Sequence, residues 1–164
     1  MAASQIEIRT LGSTATQQDL APLFSLNQTV FGFDPENPRP NASLPEWQTR
    51  LSKPDAALTY AIQAQGSTEP MGFFFTYPIL QPEIGHLTYH IWLAGVNPSS
   101  RGLGIFPLLF EETRKKAKEA GYECLSVCTV PMRFEKMYRI LQKNGWEFVA
   151  WREGGEKVLM KMKI

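Results

Sequence analysis

The feature that most constrains the fold is a strand that runs directly into a small, polar, glycine-containing turn, which then opens a long helix. Residues 87–96 are apolar, aromatic and β-branched, and helical spacing begins at Phe106. Such a turn leaves main-chain N–H groups at the start of the helix unpaired. Gly102 and Gly104 permit conformations and close approaches that a side chain would block, and Arg101 adds a positive charge. The sequence therefore predicts a pyrophosphate site.

The residues of this turn distinguish between several phosphate-binding motifs. A P-loop needs Lys-Ser/Thr after its last glycine, and a dinucleotide site needs G-x-G-x-x-G, and neither pattern occurs here. Residues 96–106 instead read Val-x-Pro followed by Arg-x-x-Gly-x-Phe. This resembles the acyl-CoA pyrophosphate motif of the GNAT superfamily of N-acetyltransferases, with Phe106 in place of the last small residue. Pro107 resembles the aralkylamine N-acetyltransferase branch. An ordinary glycine turn between a strand and a helix is the alternative.

The resemblance implies where acetyl-CoA would bind. A glycine inside a strand, here Gly95, marks a bulge or a close backbone approach. In the GNAT superfamily a bulge at this place splays two strands and frees main-chain groups for the thioester arm, so that an N–H near Leu93 or Val96 would hold the carbonyl. The expected residues for the co-substrate are Leu93, Ala94, Gly95, Val96, Arg101, Gly102, Leu103, Gly104, Ile105 and Phe106.

Signals along the chain follow the order strand, two helices, three strands, helix, strand, helix and two strands. This order resembles the GNAT fold, an α/β (α+β) domain. Its mixed, mostly antiparallel central sheet is split near the middle and flanked by about four helices. With 164 residues, 43% of them hydrophobic, the chain suits a single domain over residues 1–164.

Composition and cysteine usage limit the kinds of partner that we expect the protein to bind. The net charge of +1 has no basic run, which argues against nucleic acid as a partner. No apolar stretch approaches the roughly 20 residues of a membrane span, and no signal peptide is recognised, so a soluble, cytoplasmic protein without membrane association is expected. Cys124 and Cys128 lie four apart without a C-x-x-C spacing or a nearby histidine pair. Reduced thiols and no metal are predicted, with a catalytic thiol as the alternative.

Proton removal from an amine needs a base near neutral pH, and the chain has two histidines, His86 and His90. His90 lies eleven residues before Arg101, where the aralkylamine branch carries a strand histidine used in proton removal. The resemblance therefore implies His90 as the general base. The alternative is a buried strand residue whose ring is satisfied by a neighbour or water. His86 and Glu83 are weaker candidates.

The general acid departs from the GNAT pattern. The superfamily's usual tyrosine, four residues before the glycine that ends the last helix, corresponds here to Leu141. Tyr138 lies nearly one turn earlier and is either a displaced acid or a core residue. The asparagine that touches the pantetheine arm in the superfamily is absent from residues 130–134.

The proline-rich residues 31–41 and the short helix that follows correspond to one wall of the acceptor pocket in the GNAT superfamily. Phe31, Phe33 and Trp47 either line this pocket or pack against the sheet. The expected activity is direct, acetyl-CoA-dependent transfer to a primary amine of a small molecule, without an acyl-enzyme. A peptide or protein N-acetyltransferase and a catalytically degenerate acyl-CoA-binding module are the alternatives. The acceptor and the oligomeric state stay open.

Overall fold

The structure is a computed structural model that describes residues 5–31, 43–66 and 68–164. Within these residues the helices are α1 (Gln17–Phe31), α2 (Leu44–Leu51), α3 (Ile105–Glu119) and α4 (Glu135–Lys143). The strands are β1 (Ile6–Leu11), β2 (Ala57–Gln63), β3 (Pro70–Gln81), β4 (His86–Val96), β5 (Cys124–Thr129), β6 (Glu147–Arg152) and β7 (Lys157–Lys163). Short 3₁₀ turns occupy Pro98–Ser100 and Glu153–Gly155.

The strands form one mixed sheet in the order β1-β2-β3-β4-β5-β7-β6. Pairing is antiparallel between β1 and β2, β2 and β3, β5 and β7, and β6 and β7. β4 and β5 pair in parallel through Tyr89↔Leu125, His90↔Ser126 and Ile91↔Val127. The predicted split of the sheet near its middle stays a prediction, because β4 and β5 are hydrogen-bonded neighbours within this sheet. The predicted α/β class, with a mostly antiparallel sheet and four helices, is confirmed.

Backbone contacts group the described residues into two compact units. The first contains the described residues up to Tyr77 together with Leu93–Thr113, and the second contains Pro78–Trp92 together with Arg114–Ile164. The strands β3 and β4 each contribute residues to both units. The organisation as a single domain stays a prediction.

Aromatic side chains of β3 and α2 form the core of the first unit. Trp47 is fully buried and contacts Phe24 and Phe75 edge-on, with ring centroids 5.3 Å and 5.2 Å apart. Phe73 lies 5.9 Å from the same indole. The helix that brings Trp47 here begins at Leu44, where the hydroxyl of Ser43 accepts a hydrogen bond from the amide of Glu46.

Two strand glycines allow helices to approach the sheet closely. A Cβ at Gly72 would lie 2.8 Å from Ile105 Cγ2 and 3.0 Å from the carbonyl oxygen of Gly95. A Cβ at Gly95 would lie 3.1 Å from Val30 Cγ1 and 3.2 Å from Phe73 Cε1. Because these two residues have no side chain, α3 can pack closely on β3 at Gly72, and α1 can pack closely on β4 at Gly95.

Candidate active site

The turn between β4 and α3 has the geometry of an anion site. Gly102 and Gly104 have φ angles of +82° and +77°, which favour glycine over residues with a Cβ. The amide of Ser100 donates to the carbonyl of Asn97 at 2.8 Å, which closes the 3₁₀ turn that precedes them. When successive residues alternate between left-handed and other backbone conformations, their N–H groups point toward one concave surface.

The amides of this turn are available to a ligand. Within the part of the chain that the structure describes, the N–H groups of Gly102, Leu103 and Gly104 donate to no acceptor. Ile105 and Phe106 begin α3, so their amides have no partner inside the helix. Space beside both glycines is open, because a Cβ there would meet nothing within 4 Å.

A cavity of about 280 Å³ lies over these amides. Exposed Arg101 is one of the residues that line this cavity. The ring of Phe106 packs against Phe74 and Phe110, with centroids 5.1 Å and 6.4 Å apart, which explains how a phenylalanine fits where the motif has a small residue. The cavity is lined by Val96, Ser100, Arg101, Gly102, Gly104, Ile105, Phe106 and Pro107.

The strand segment that leads into the turn, Leu93 to Val96, alternates in burial. Leu93 and Gly95 are buried, and Ala94 and Val96 are half-buried. Asn97, the next residue, is held by a hydrogen bond from its amide to the carbonyl of Met71 at 2.8 Å. This bond anchors the end of β4 next to the anion turn.

His90 is a buried residue in the middle of β4, 7% exposed. Its Nδ1 lies 2.9 Å from Ser126 Oγ and 3.4 Å from Gln81 Nε2. Ser126 Oγ lies 2.6 Å from Thr88 Oγ1, which in turn lies 3.3 Å from the carbonyl oxygen of Ile79. One ring nitrogen, Nδ1, therefore has neighbours within hydrogen-bond distance, and the role of His90 as a base stays a prediction.

Gln81 connects this histidine to an ion pair. Arg152 donates to Gln81 Oε1 at 2.6 Å and to both carboxylate oxygens of Glu83, at 2.6 and 3.3 Å. The hydrogen bond from Arg152 is the main cause that lowers the pKa of Glu83, and Glu83 correspondingly raises the pKa of Arg152. Glu83, a weaker sequence candidate, is thus engaged in an ion pair. His86 is exposed and contacts the carbonyl of Leu87.

Gln81 is not among the candidate residues that the sequence indicates. Pro78 lies shortly before it, and proline disfavours a central strand. The strand nevertheless continues to Gln81, which is 1% exposed. Nothing in the local sequence marks this uncharged amide as the residue that connects His90 to Arg152.

The helix α4 carries the two residues considered for the acid. Leu141 is buried. Because leucine has no hydroxyl, this position, where the superfamily usually has its acid, cannot supply a proton. Tyr138 is half-buried on the same helix. Its role, as the acid or as a core residue, stays a prediction.

The three aromatic residues predicted for the acceptor wall have different outcomes. Trp47 packs inside the first unit and presents no exposed surface, and its place in an acceptor wall stays a prediction. Phe31 ends α1 and is half-buried. Phe33 lies outside the described residues.

The cysteines are free thiols, Cys124 buried and Cys128 half-buried. Burial raises the pKa of both thiols, which opposes a thiolate nucleophile, although the charge of Arg152 acts against this rise at Cys128. In the described part of the chain no three side chains of His, Cys, Asp or Glu are grouped to hold a metal ion. Among residues 5–31, 43–66 and 68–164 no helix is long and apolar enough to cross a membrane.

Comparison with solved structures gives full-length matches to acetyltransferases. The PaiA N-acetyltransferase from Thermoplasma acidophilum, in complex with coenzyme A, superposes with a TM-score of 0.75 at 17% identity, covering 98% of this chain and 99% of that one. A ribosomal-protein-alanine N-acetyltransferase from Escherichia coli matches with a TM-score of 0.71 at 14% identity, over 98% and 94% of the two chains.

An aminoglycoside acetyltransferase from an uncultured soil metagenomic sample, in complex with sisomicin, matches with a TM-score of 0.66 at 16% identity, over 85% and 87%. No family model and no curated protein matches the sequence itself. A further match is an acetyltransferase of the GNAT family from Streptococcus pneumoniae, with a TM-score of 0.66 at 16% identity over 98% and 100% of the chains. The chain therefore has the fold of the GNAT acetyltransferases.

Proposed function

We propose that this protein is an N-acetyltransferase that transfers the acetyl group of acetyl-CoA directly to a primary amine of a small molecule. The observation that carries this proposal is the turn from Arg101 to Phe106. It combines two left-handed glycines, unpaired amides, a guanidinium and open space over them. These are the groups that a pyrophosphate needs, and the co-substrate of the fold's acetyltransferases carries one.

The residues present fit acetyl-CoA. A pyrophosphate needs several N–H donors at once, and the amides of Gly102, Leu103, Gly104, Ile105 and Phe106 supply them. Binding at the start of α3 adds the favourable electrostatics of a helix N-terminus. The complex of the Thermoplasma acidophilum enzyme with coenzyme A supports the same use of this fold.

The chemistry requires few groups. The amine nitrogen attacks the thioester carbon, a C–N bond forms, and the C–S bond breaks with its electron pair leaving on sulfur. The amine loses one proton, and the thiolate gains one from water or leaves as the anion, which a thiol of pKa about 8.5 permits. We assign carbonyl binding to the main chain near Leu93 or Val96, and contact with the reacting groups to His90 and Tyr138.

The acceptor class is the least constrained part of the proposal. A small amine is favoured because the aromatic, proline-rich sequence from Phe31 to Trp47 suits a closed acceptor site, with Phe31, Phe33 and Trp47 as proposed contacts. The match to an aminoglycoside acetyltransferase supports this choice. The match to a ribosomal-protein-alanine N-acetyltransferase favours a peptide amine instead. The buried Leu141 at the usual acid position favours a third function, acyl-CoA binding without turnover.

Calorimetric titration of CoA against the Gly104→Asp variant tests the central claim. The new carboxylate and Cβ would face the pyrophosphate, so affinity should fall at least about tenfold, equivalent to about 1.4 kcal/mol. Gly121→Asp is a matched control, because Gly121 also has a positive φ and open space but lies at the other end of α3. Equal CoA affinity in wild type and Gly104→Asp would refute the site.

A mass-spectrometric screen with acetyl-CoA separates the acceptor classes. Acetylation of free amines, and of no peptide N-terminus, is the expected result. Acetylated peptides alone would show a peptide N-acetyltransferase. Tight CoA binding without any acetylated product would show a binding module.

A further inference from the structure

The helix α1 carries a polar side chain on its buried face. Positions i, i+3, i+7 and i+10 of a helix share one face, and in α1 they are occupied by Leu20, Leu23, Asn27 and Val30. Leu20 and Leu23 are fully buried, and Asn27 is 4% exposed. An amide therefore occupies a position where helical spacing calls for an apolar residue.

The side-chain oxygen of this residue lacks a hydrogen-bond donor. Among the residues that the structure describes, no N–H or O–H group donates to Asn27 Oδ1, although the atom is buried. The helix itself cannot supply a donor, because main-chain N–H groups in the middle of α1 bond to carbonyls one turn earlier. A buried acceptor without a donor destabilises the folded chain, so its presence needs a reason.

Another buried polar atom without a partner, Thr113 Oγ1 on α3, differs in kind. A buried donor can bond to a carbonyl one turn earlier in its own helix, as the side-chain nitrogen of Asn144 does to the carbonyl of Ile140 in α4, at 2.7 Å. A hydroxyl reaches such a carbonyl by rotation, whereas an amide oxygen only accepts. The donor to Asn27 Oδ1 must therefore come from outside α1.

Contact between α1 and β4 brings this oxygen near the strand segment that we assign to the thioester carbonyl, Leu93–Val96. A Cβ at Gly95 would lie 3.1 Å from Val30 Cγ1, so α1 touches β4 at this point. Asn27 precedes Val30 by one turn, and side chains three apart on a helix are neighbours, with about 5–6 Å between their Cβ atoms. Asn27 therefore lies about one helical turn from the contact with this segment.

The buried interior around α1 is uncharged. The buried polar residues that the structure describes in the first unit are Asn27, Thr59, Thr76, Ser100 and Thr113. Burial of an ammonium ion is costly without a carboxylate partner, whereas a neutral N–H group needs only an acceptor. A neutral amine, which is the form that attacks a thioester, is therefore the donor that suits Asn27 Oδ1.

We propose that Asn27 binds the acceptor, with one N–H group of a primary amine donating to Oδ1, and that this amine is attached to an apolar body. This role rests on the proposed acetyl transfer, of which it specifies the acceptor-binding residue and the substrate class. A hydrogen bond through N–H leaves the nitrogen lone pair free to attack the thioester carbon. A polycationic amine is disfavoured, because no described buried side chain of the first unit carries a carboxylate.

Acetylation of n-hexylamine, a primary amine with an apolar body, tests this role. Asn27→Leu keeps the number and branching of the heavy side-chain atoms but removes the acceptor. The KM for n-hexylamine should rise at least about tenfold, while the KM for acetyl-CoA stays within about twofold. The Tm should be unchanged or up to about 4 °C higher, because the buried oxygen without a donor is gone. A residue with only a structural role would not combine an undiminished Tm with weaker amine binding.

Two further variants separate the contact from general effects on the fold. Thr113→Val, of similar shape, removes the other buried atom without a partner and should keep the KM for n-hexylamine within about twofold. Asn27→Ala removes the same oxygen but leaves a cavity, so it should raise this KM as Asn27→Leu does and lower the Tm. A KM for n-hexylamine that stays unchanged in both Asn27 variants, or rises equally in Thr113→Val, would overturn the proposal.

Binding measurements distinguish this role from the proposed function. Calorimetric titration of n-hexylamine and 1,6-diaminohexane into the protein saturated with CoA needs no turnover. If n-hexylamine binds but is not acetylated, the proposed function fails, and binding at least about tenfold weaker in Asn27→Leu still supports the role of Asn27. If n-hexylamine is acetylated and both Asn27 variants bind it normally, the function stands and the role fails. Tighter binding of 1,6-diaminohexane, or binding of neither amine, would overturn the proposal.

Discussion

The close approach between β3 and α3 at Gly72 predicts a measurable cost for one added methyl group. In Gly72→Ala the new Cβ would lie 2.8 Å from Ile105 Cγ2, 3.4 Å from Leu109 Cδ1 and 3.0 Å from the main-chain oxygen of Gly95. Carbon atoms pack best at about 3.5–4.0 Å, so the methyl of Ile105 must retreat by about 0.7 Å. The oxygen of Gly95 belongs to a strand and can yield only if the backbone moves.

The magnitude follows from two opposing effects. Overpacking of this kind costs about 1–3 kcal/mol. Alanine in a strand is favoured over glycine by about 0.5–1 kcal/mol, so the net loss in the free energy of unfolding should lie between about 0 and 2.5 kcal/mol, with a central value of about 1.2 kcal/mol. For a chain of this length 1 kcal/mol corresponds to about 2–4 °C in Tm, and at the central value Gly72→Ala should melt about 2–5 °C below wild type.

Urea unfolding followed by circular dichroism and scanning calorimetry would measure both quantities. Gly12→Ala is the matched control, because its Cβ meets nothing within 4 Å and its φ lies outside the left-handed region. We expect the control to be neutral or stabilised by about 0.4–1 kcal/mol. Ile105 also lines the anion cavity, so Gly72→Ala should weaken CoA binding as well. A Tm of Gly72→Ala at or above that of Gly12→Ala would refute the packing argument.

Further variants probe the core, the helix α4 and the ion pair. Trp47→Ala should lose about 3–5 kcal/mol of stability, because the indole is fully buried among aromatic rings, whereas a change confined to the KM for the amine would point to an acceptor contact. Tyr138→Phe should leave the Tm unchanged and lower kcat at least about tenfold if the hydroxyl is the acid, and full activity would identify a packing residue. The pKa of Glu83 is lowered by Arg152, so its stabilising effect is full above the unfolded pKa of about 4.3 and is lost as the pH falls through the folded pKa. The stability difference between wild type and Glu83→Gln, measured by urea unfolding, should therefore shrink below about pH 4, and a difference that persists unchanged in acid would contradict this.

Local signals predicted the parts of the site that depend on neighbouring residues. The left-handed turn follows from glycines and an arginine within a few positions. The network at His90 depends instead on Arg152, which is distant in sequence from Gln81 and meets it only after folding. Hydrophobic character alone also allowed two locations for Trp47, the acceptor pocket or the core, because an indole suits both. Only the packing of the folded chain distinguishes them.

The route of the chain through its two compact units limits how the protein can be dissected or recombined. The backbone passes from one unit to the other after Tyr77, after Trp92 and after Thr113. Neither unit therefore corresponds to one continuous stretch of gene, and any single truncation point inside residues 78–113 removes part of both. Exchange of segments with a protein of the same fold has to preserve all three crossings, so a change of function is better made by point substitutions than by swapping fragments.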